Sequence, residues 1–201
     1  MRLRSWALPL VVAAASAACG SSGTPPEGNA ATTEGVSEGN VLPDFALVGY
    51  LDNNHDGVLT PDERGPIRPS DVIAANPNAE VLLVHVAFGW CKFCWEETAG
   101  QLSMTKAYGG WFVSIQILVE DRSGTAATDA FVDEWIRLNK SAMATTLEPG
   151  GSLFHRFGRA ATYLMIDPKD RKVLVVGAGP PTFRYVKDKI AQRLGPIPEG
   201  S

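Results

Sequence analysis

The chain has 201 residues, of which 45% are hydrophobic and 20% are charged, and its formal net charge is −4. This length and composition indicate one globular domain with a sizeable core, and they exclude a disordered chain or a polytopic membrane protein. The acidic balance argues against a nucleic-acid-binding protein, which needs a basic face. The three cysteines, Cys19, Cys91 and Cys94, are too few for a scaffold held together by disulfides.

The first 18 residues are typical of an export signal. A short basic start precedes an uncharged apolar run at residues 6–15, which is shorter than the ~20 residues that span a bilayer. Small residues then lead directly into Cys19, as in bacterial lipoprotein signals, although Ser16 stands where such signals usually have Leu. We predict that residues 1–18 are removed and that Cys19 carries a lipid anchor. The alternative is an ordinary secretory signal, and both place the protein where disulfides can form.

Residues 19–40 are mostly Gly, Ser, Thr, Pro, Glu, Asn and Ala. Such a segment buries too little apolar surface to offset the entropy lost on ordering, so we predict a flexible linker. From Val41 onwards the composition is that of a globular protein, which predicts a folded domain over residues 41–198.

The hydrophobic pattern of this domain predicts alternating strands and helices. An unbroken apolar run at residues 81–88 predicts a central strand buried on both faces. Further strands are predicted at 112–119, 162–166 and 173–176. Helices are predicted at 91–108, 126–139 and 182–194. This order of elements predicts an α/β fold with a central mixed sheet flanked by helices.

Reactive chemistry is concentrated in the sequence W-C-K-F-C at residues 90–94, where the central strand meets a helix. Two cysteines at this spacing can close a disulfide within one helical turn. The unpaired N–H groups of the helix N-terminus favour a thiolate at Cys91, which is therefore the predicted nucleophile. Cys94, one turn further on, is predicted to resolve the mixed disulfide. Lys92 adds a positive charge that favours the thiolate further.

A C-x-x-C motif can also form half of a zinc site, which needs two further Cys or His ligands. The histidines of the chain are His55, His85 and His155, and His85 falls in the middle of the predicted buried strand. The sequence alone therefore disfavours a zinc site at the two cysteines.

Several features together resemble a known family. Pro-Asp-Phe at residues 43–45 opens the domain, the motif W-C-x-x-C follows an apolar strand, Glu97 lies three residues after the second cysteine, and a late strand ends in Asp167. Over residues 41–195 this pattern resembles the thioredoxin fold and, more narrowly, the TlpA/ResA-type periplasmic thiol–disulfide oxidoreductases of the redoxin group. The resemblance implies an N-terminal extension, exchange of disulfides with protein thiols in the cell envelope, and catalysis without a cofactor.

The resemblance also implies roles for single residues. A glutamate at the position of Glu97 lies near the dithiol and assists proton transfer, although Glu97 also suits a solvated helix face. Trp90 is expected to line the active-site surface. Two positions depart from the family: Phe93 replaces a common proline, and Ala161 stands where a cis-proline usually faces the dithiol. A cis bond before a non-proline residue costs about 2.5–4 kcal/mol, so we expect a trans bond at Ala161.

Two other functions are considered from the sequence. A peroxiredoxin is disfavoured, because residues 86–90 lack the Thr/Ser-x-x-Cys pattern of that group. The second alternative is a thioredoxin-like lipoprotein that carries a metal such as copper, or docks partners, without turnover. Copper-carrying relatives space their cysteines by three residues and use a downstream histidine, for which only His155 is available.

A second motif at residues 52–63 matches the EF-hand calcium-loop pattern D-x-[DN]-x-[DN]-G-x5-E. The predicted ligands are the side chains of Asp52, Asn54, Asp56 and Glu63 and the carbonyl oxygen of Val58. The same residues also suit a turn followed by a helix start with a capping box. We expect one structural calcium ion that stabilises the N-terminal extension and takes no part in catalysis.

Overall fold

The computed structural model describes residues 37–148, 151 and 162–197. The predicted signal, the anchor at Cys19, the linker up to residue 36 and the departure from the family at Ala161 lie outside these residues. Among the helices that the structure describes, none is both long and apolar enough to cross a membrane.

The strands and helices follow one another along the chain with short connections. The strands are β1 (Leu47–Tyr50), β2 (Arg64–Ile67), β3 (Val81–Phe88), β4 (Phe112–Glu120), β5 (Ala144–Leu147), β6 (Thr162–Asp167) and β7 (Lys172–Ala178). The α-helices are α1 (Pro69–Ala75), α2 (Lys92–Tyr108), α3 (Asp129–Asn139) and α4 (Gly179–Leu194), and single 3-10 turns occupy Pro61–Glu63 and Gly109–Trp111.

These strands form one sheet in the order β2-β1-β5-β4-β3-β6-β7. Strands β3, β4 and β5 are parallel neighbours, and the other neighbouring pairs are antiparallel. Parallel neighbours need a crossover, which α2 supplies between β3 and β4 and α3 supplies between β4 and β5. All 8 residues of β3 are buried, as expected for a strand in the middle of such a sheet. The predicted α/β fold with a central mixed sheet flanked by helices is confirmed.

Among the described residues, the core has two hydrophobic clusters. One surrounds the centre of the sheet and includes Val72 of α1 and the fully buried Trp135 of α3. The other packs Met104 of α2 and Val186 of α4 against residues of β6 and β7. Helix α3 begins at Asp129, three residues later than predicted, because Thr128 caps it by accepting a hydrogen bond from the backbone N–H of Phe131 at 3.3 Å.

Residues 41–67, called here the N-terminal region, add β1 and β2 to one side of the sheet. Asp44 of the Pro-Asp-Phe sequence holds this region in place. Its carboxylate accepts hydrogen bonds from the backbone N–H of Ser70 at 3.0 Å and from the Ser70 hydroxyl at 2.7 Å. It also pairs with Arg171 at 3.1 Å. Asp44 therefore joins the start of α1 to the turn between β6 and β7.

Candidate active site

The site begins where β3 ends, at a close approach between two backbone segments. The backbone N–H of Gly89 donates to the carbonyl oxygen of Glu120 at 2.8 Å. A Cβ atom on Gly89 would lie 2.5 Å from the carbonyl carbon of Asp121 and 2.7 Å from the backbone nitrogen of Arg122. Only glycine fits between these segments without displacing backbone, so the loop after β4 fixes the start of the dithiol loop.

The two cysteines differ in exposure. Cys91 is half-buried and caps α2, where its Sγ accepts a hydrogen bond from the backbone N–H of Cys94 at 3.2 Å. Cys94 lies one turn into the helix with no exposed surface. Burial raises the pKa of the Cys94 thiol, and a hydrogen bond with Cys91 raises it further. Both side chains are free thiols in this structure. One sulfur is thus accessible to a partner, and the other is held beneath it.

Aromatic side chains surround the accessible sulfur. Trp90 and Phe93, which flank Cys91 in the sequence, are 57% and 54% exposed. The indole N–H of Trp90 donates to the carboxylate of Glu120 at 2.6 Å. Lys92, also exposed, pairs with Glu96 at 3.6 Å. The surface around Cys91 is therefore open to solvent and carries two exposed aromatic rings, with charged side chains next to them.

Trp95 lies on the inner side of the same helix turn. Its indole N–H donates to the carbonyl oxygen of Gly89 at 2.8 Å. Its ring packs on Trp135, with the ring centroids 4.0 Å apart, and the guanidinium of Arg122 lies 4.9 Å from its ring centroid. Trp95 therefore joins the dithiol loop to α3 and to the loop after β4.

Beneath the dithiol, polar side chains from three elements meet in the core. The buried polar cluster consists of His85 of β3, Cys94, Glu97 and Gln101 of α2, and Tyr163 of β6. The α2 members recur at helical spacing and form the inward face of the helix. One potential ligand atom from each of His85, Cys94 and Glu97 lies within 4.8 Å of the other two. The fold thus brings a thiol, an imidazole and a carboxyl together out of contact with solvent.

Hydrogen bonds fix the orientation of this cluster, but three of its buried atoms have no hydrogen-bond partner in the described structure, and one of them is Gln101 Oε1. The Tyr163 hydroxyl donates to Glu97 Oε2, and the Gln101 amide lies 2.7 Å from His85 Nδ1. The rings of His85 and Tyr163 stack with their centroids 4.5 Å apart. In the described structure, His85 Nε2 and Glu97 Oε1 are buried and have no hydrogen-bond partner. The 3.8 Å between His85 Nε2 and Glu97 Oε2 is too long for a hydrogen bond.

Burial also sets the charge of these groups. It lowers the pKa of His85 to about 3, so the imidazole is neutral near pH 7. It raises the pKa of Glu97, while the hydrogen bond from Tyr163 opposes that rise. The pKa of Tyr163 is raised by burial and by its bond to Glu97, so this phenol remains a hydrogen-bond donor. His85 and Tyr163 are therefore both neutral near pH 7.

The structure places the predicted site residues Trp90, Cys91, Cys94 and Glu97 at one end of α2, with Glu97 on its buried face. Sequence reasoning missed His85, Gln101 and Tyr163 as members of the site. A histidine within an otherwise apolar strand was the available signal for His85. Nothing local marks Tyr163, because it comes from a strand far along the chain.

The loop at residues 52–63 is built from its own hydrogen bonds. Glu63 accepts hydrogen bonds from the backbone N–H groups of Asn53 at 3.1 Å and Thr60 at 2.9 Å. Asp52 Oδ2 accepts from the N–H of Gly57 at 3.0 Å, while Asp52 Oδ1 is buried without a partner. The capping box of the alternative interpretation is present. Calcium binding by Asp52, Asn54, Asp56, Val58 and Glu63 stays a prediction.

Comparison with known proteins rests on solved structures, since no protein-family model and no curated protein matches the chain. A thio-disulfide isomerase of Thermus thermophilus is 20% identical, with 79% of this chain and 97% of that chain covered and a TM-score of 0.54. The exposed lipoprotein thioredoxin Etrx1 of Streptococcus pneumoniae is 18% identical, with 75% and 99% covered and a TM-score of 0.53.

The peroxidoxin BcpB of Mycobacterium tuberculosis is also similar. It is 16% identical, with 79% of this chain and 96% of that chain covered and a TM-score of 0.55. Proteins with different names thus share this architecture, and at such identities the likeness concerns the fold rather than the activity. Together with the mixed sheet and its flanking helices, these similarities show that the chain has a thioredoxin fold.

Proposed function

We propose that this protein is a thiol–disulfide oxidoreductase that exchanges disulfides with protein thiols through Cys91 and Cys94. The observation that carries the proposal is the asymmetry of the two sulfurs. Cys91 is the accessible N-cap of α2 and accepts a hydrogen bond from the Cys94 N–H, while Cys94 has no exposed surface. Attack on a disulfide requires an accessible thiolate, and release of the product requires a second thiol close behind it.

The reaction balances without a cofactor. The Cys91 thiolate attacks one sulfur of a partner disulfide, which forms a mixed disulfide and releases the partner's other sulfur as a thiolate. Cys94 then loses its proton and attacks the Cys91 sulfur, which closes the Cys91–Cys94 disulfide and releases the second partner thiol. The partner gains two electrons and two protons, and the dithiol loses them. Glu97, within 4.8 Å of the Cys94 sulfur, is placed to receive the proton of Cys94.

The surface around Cys91 favours a polypeptide as the partner. Trp90 and Phe93 expose more than half of their side chains on either side of the sulfur. Exposed aromatic side chains of this kind mark protein-binding surfaces. An apolar segment of a partner chain that lies across them would bring its disulfide to Cys91.

Export and membrane attachment are part of the proposal. The basic start, the short apolar run and Cys19 support removal of residues 1–18 and lipid attachment at Cys19. An exposed lipoprotein with the same fold is consistent with this interpretation. Mass spectrometry of the protein from a lipoprotein-processing bacterial host measures the N-terminal mass. An N-terminus other than lipidated Cys19 would contradict the anchor.

Reduction of insulin by dithiothreitol, followed by turbidity, tests the activity. The wild-type chain should accelerate the reaction, Cys91→Ser should lower the rate to the uncatalysed background, and Cys94→Ser should accumulate a mixed disulfide with a partner on non-reducing gels. Cys19→Ser is the matched control, because it removes a cysteine outside the dithiol and should leave the rate unchanged. If the wild type does not accelerate insulin reduction and Cys94→Ser traps no cell-envelope protein, the proposal is wrong.

We also propose that the loop at residues 52–63 binds one structural calcium ion. The full match to the loop pattern and the buried, unpartnered Asp52 Oδ1 support this proposal. At 100 times the dissociation constant, calcium should stabilise the fold by about 2.7 kcal/mol. Thermal unfolding with calcium or with chelator measures the effect, and Asp56→Ala should abolish it while insulin reduction continues. Equal melting temperatures with and without calcium would remove the site.

A further inference from the structure

Two buried atoms of the polar cluster lack the hydrogen-bond partners that such atoms normally have. His85 has no exposed surface and Glu97 is 6% exposed, and His85 Nε2 and Glu97 Oε1 have no hydrogen-bond partner in the described structure. Buried polar atoms in native proteins are nearly always paired. Both unpaired atoms belong to side chains that meet at the Cys94 sulfur. Unpaired acceptors around a sulfur are a suitable environment for a cation.

The other polar atom of each side chain is already held, as in proteins that bind metals. Gln101 lies 2.7 Å from His85 Nδ1, and the Tyr163 hydroxyl donates to Glu97 Oε2. The amide nitrogen of Gln101 faces Nδ1 in this structure, and Gln101 Oε1 is buried without a partner. Turning the amide over exchanges these two atoms, so that the carbonyl accepts from Nδ1–H and Nε2 carries a free lone pair. Metal ligands are typically oriented in this way, by a partner on the atom that does not bind the metal. The cluster therefore contains both the candidate ligands and the groups that orient them.

The distances suit one small ion. The candidate atoms of His85, Cys94 and Glu97 lie within 4.8 Å of one another. Cys91 lies beside this group of three and supplies a second sulfur, which accepts a hydrogen bond from the Cys94 N–H at 3.2 Å. Bond lengths of about 2.0–2.3 Å place the ligand atoms of tetrahedral zinc roughly 3.3–3.8 Å apart. The widest pair among His85, Cys94 and Glu97 must therefore approach by about 1 Å, and the Cys91 sulfur must also move toward these three atoms. Changes of side-chain torsion can supply both movements. The half-buried Cys91 provides the entry to the site from solvent.

We propose that the reduced protein binds one zinc ion through Cys91, Cys94, His85 Nε2 and Glu97 Oε1. Two sulfurs, one imidazole nitrogen and one carboxylate oxygen form a closed tetrahedral ligand set typical of zinc. Copper(I) prefers the thiolates and has little use for the carboxylate. The sequence argument against zinc depended on the position of His85 in a buried strand. That position is the one that directs the side chain beneath the dithiol.

Zinc binding and disulfide exchange exclude each other at this site. Binding releases the proton of each thiol to solvent, and no electrons are transferred. Closing the Cys91–Cys94 disulfide removes both thiolates, so the oxidised protein loses two of its four ligands and releases the ion. This redox control rests on the proposed function, since a partner disulfide is the oxidant. Bound zinc is then expected to keep the reduced protein inactive until a stronger chelator removes it.

Metal titration of the reduced full-length chain tests the proposal. Competition with a chromogenic chelator should show one zinc per chain, and none after oxidation of the dithiol. Cobalt(II) should give thiolate charge-transfer absorption and the intense visible bands of a tetrahedral site. His85→Gln should weaken zinc binding at least about 10-fold, since loss of an orienting partner alone costs 10- to 100-fold. His55→Gln, at an exposed histidine in the loop of residues 52–63, is the matched control and should bind zinc like the wild type.

Several outcomes would overturn the zinc site. These are the absence of zinc in the reduced wild type, equal affinity in the oxidised form, or wild-type affinity in a folded His85→Gln variant. If His85→Gln does not fold, NMR of the cadmium-loaded wild type tests the ligand set instead. The cadmium chemical shift reports how many sulfurs bind the ion, and coupling to the imidazole reports binding by His85. Absence of that coupling would contradict the site. Insulin reduction by the zinc-free wild type is measured separately. Normal reduction without zinc binding contradicts only the zinc site, whereas zinc binding without reduction contradicts only the proposed activity.

Discussion

The N-terminal region and the buried polar cluster both gather potential metal ligands, but they do so in opposite ways. In the N-terminal region the ligand atoms are all oxygens, come from 12 consecutive residues and are mostly exposed. In the buried polar cluster they are sulfur, nitrogen and oxygen, come from β3 and α2, and have almost no contact with water. Tyr163, which orients one of them, comes from a third element, β6.

The polar atoms of the two regions also differ in their hydrogen-bond partners. The loop carboxylates accept hydrogen bonds from nearby backbone N–H groups, and solvent can complete their shells except at the buried Asp52 Oδ1. The cluster has no solvent, so its unpaired atoms must be matched by a bound ion or remain unsatisfied. Substitutions in or beside the cluster should therefore have larger effects than matched substitutions in the N-terminal region. The first two of the following three predictions test this comparison, and the third tests an ionised group of the N-terminal region itself.

The largest effect is expected at Gly89. A Cβ atom there would lie 2.4 Å from a ring carbon of Phe131 and 2.5 Å from the carbonyl carbon of Asp121. Gly89→Ala must therefore displace backbone, which should destabilise the protein by about 3 kcal/mol. In the N-terminal region, Gly65→Ala meets no atom within 4 Å and should change stability by less than about 0.5 kcal/mol. Urea unfolding measures both values, and equal values for the two variants would refute the close approach as the cause.

The second-largest loss of stability is expected when the hydroxyl of Tyr163 is removed, and Tyr50 provides the matched comparison. Tyr163→Phe leaves Glu97 Oε2 buried without its donor, which should lower the free energy of unfolding by about 1–3 kcal/mol. The Tyr50 hydroxyl donates at 2.7 Å to Asp133, an exposed residue that water can solvate instead. Tyr50→Phe should therefore cost about 0.5 kcal/mol. Chemical denaturation of the two variants side by side measures the difference, and a larger loss in Tyr50→Phe would contradict the comparison.

The smallest effect, with a defined pH dependence, is expected at Asp44. Burial raises the pKa of this carboxyl. Hydrogen bonds from Ser70 and the charges of Arg171 and Arg68 together lower it by more than burial raises it, so the pKa lies below its usual 3.8. Its ionised form therefore stabilises the fold above pH 3.8, and this stabilisation is lost as the pH falls through the native pKa.

Asp44→Asn should accordingly be less stable than the wild type at pH 7, and the two proteins should converge at low pH. Thermal melts across the pH range give the comparison. Glu96→Gln serves as the control, since Glu96 forms only an exposed pair with Lys92 at 3.6 Å and should change stability by a few tenths of a kcal/mol at most. A constant difference between Asp44→Asn and wild type down to low pH would rule out titration of Asp44 as its cause.

The sequence was sufficient for features that depend on local pattern. The apolar run of β3, the cysteine spacing at the start of α2 and the consecutive oxygens of residues 52–63 could all be predicted, because each is encoded in neighbouring residues. Strands β1, β2 and β5 could not, since each has only four residues and is stabilised by pairing with distant strands.

The buried polar cluster was unpredictable for a related reason. His85 and Tyr163 meet only because β3 and β6 pair antiparallel, with these two residues opposite each other. Sequence reasoning placed His85 correctly in a buried strand. It could not show that the face of the strand toward α2 would also carry the partners of the imidazole.

The packing of Trp95 gives the molecule a built-in optical reporter. Its indole ring directly follows Cys94 in the helix, is half-buried and lies against Trp135. Disulfides quench nearby tryptophan emission more strongly than thiols do. Opening and closing of the Cys91–Cys94 bond should therefore appear as a change in intrinsic fluorescence, so that the unlabelled protein can be titrated against a redox buffer and its midpoint potential read directly.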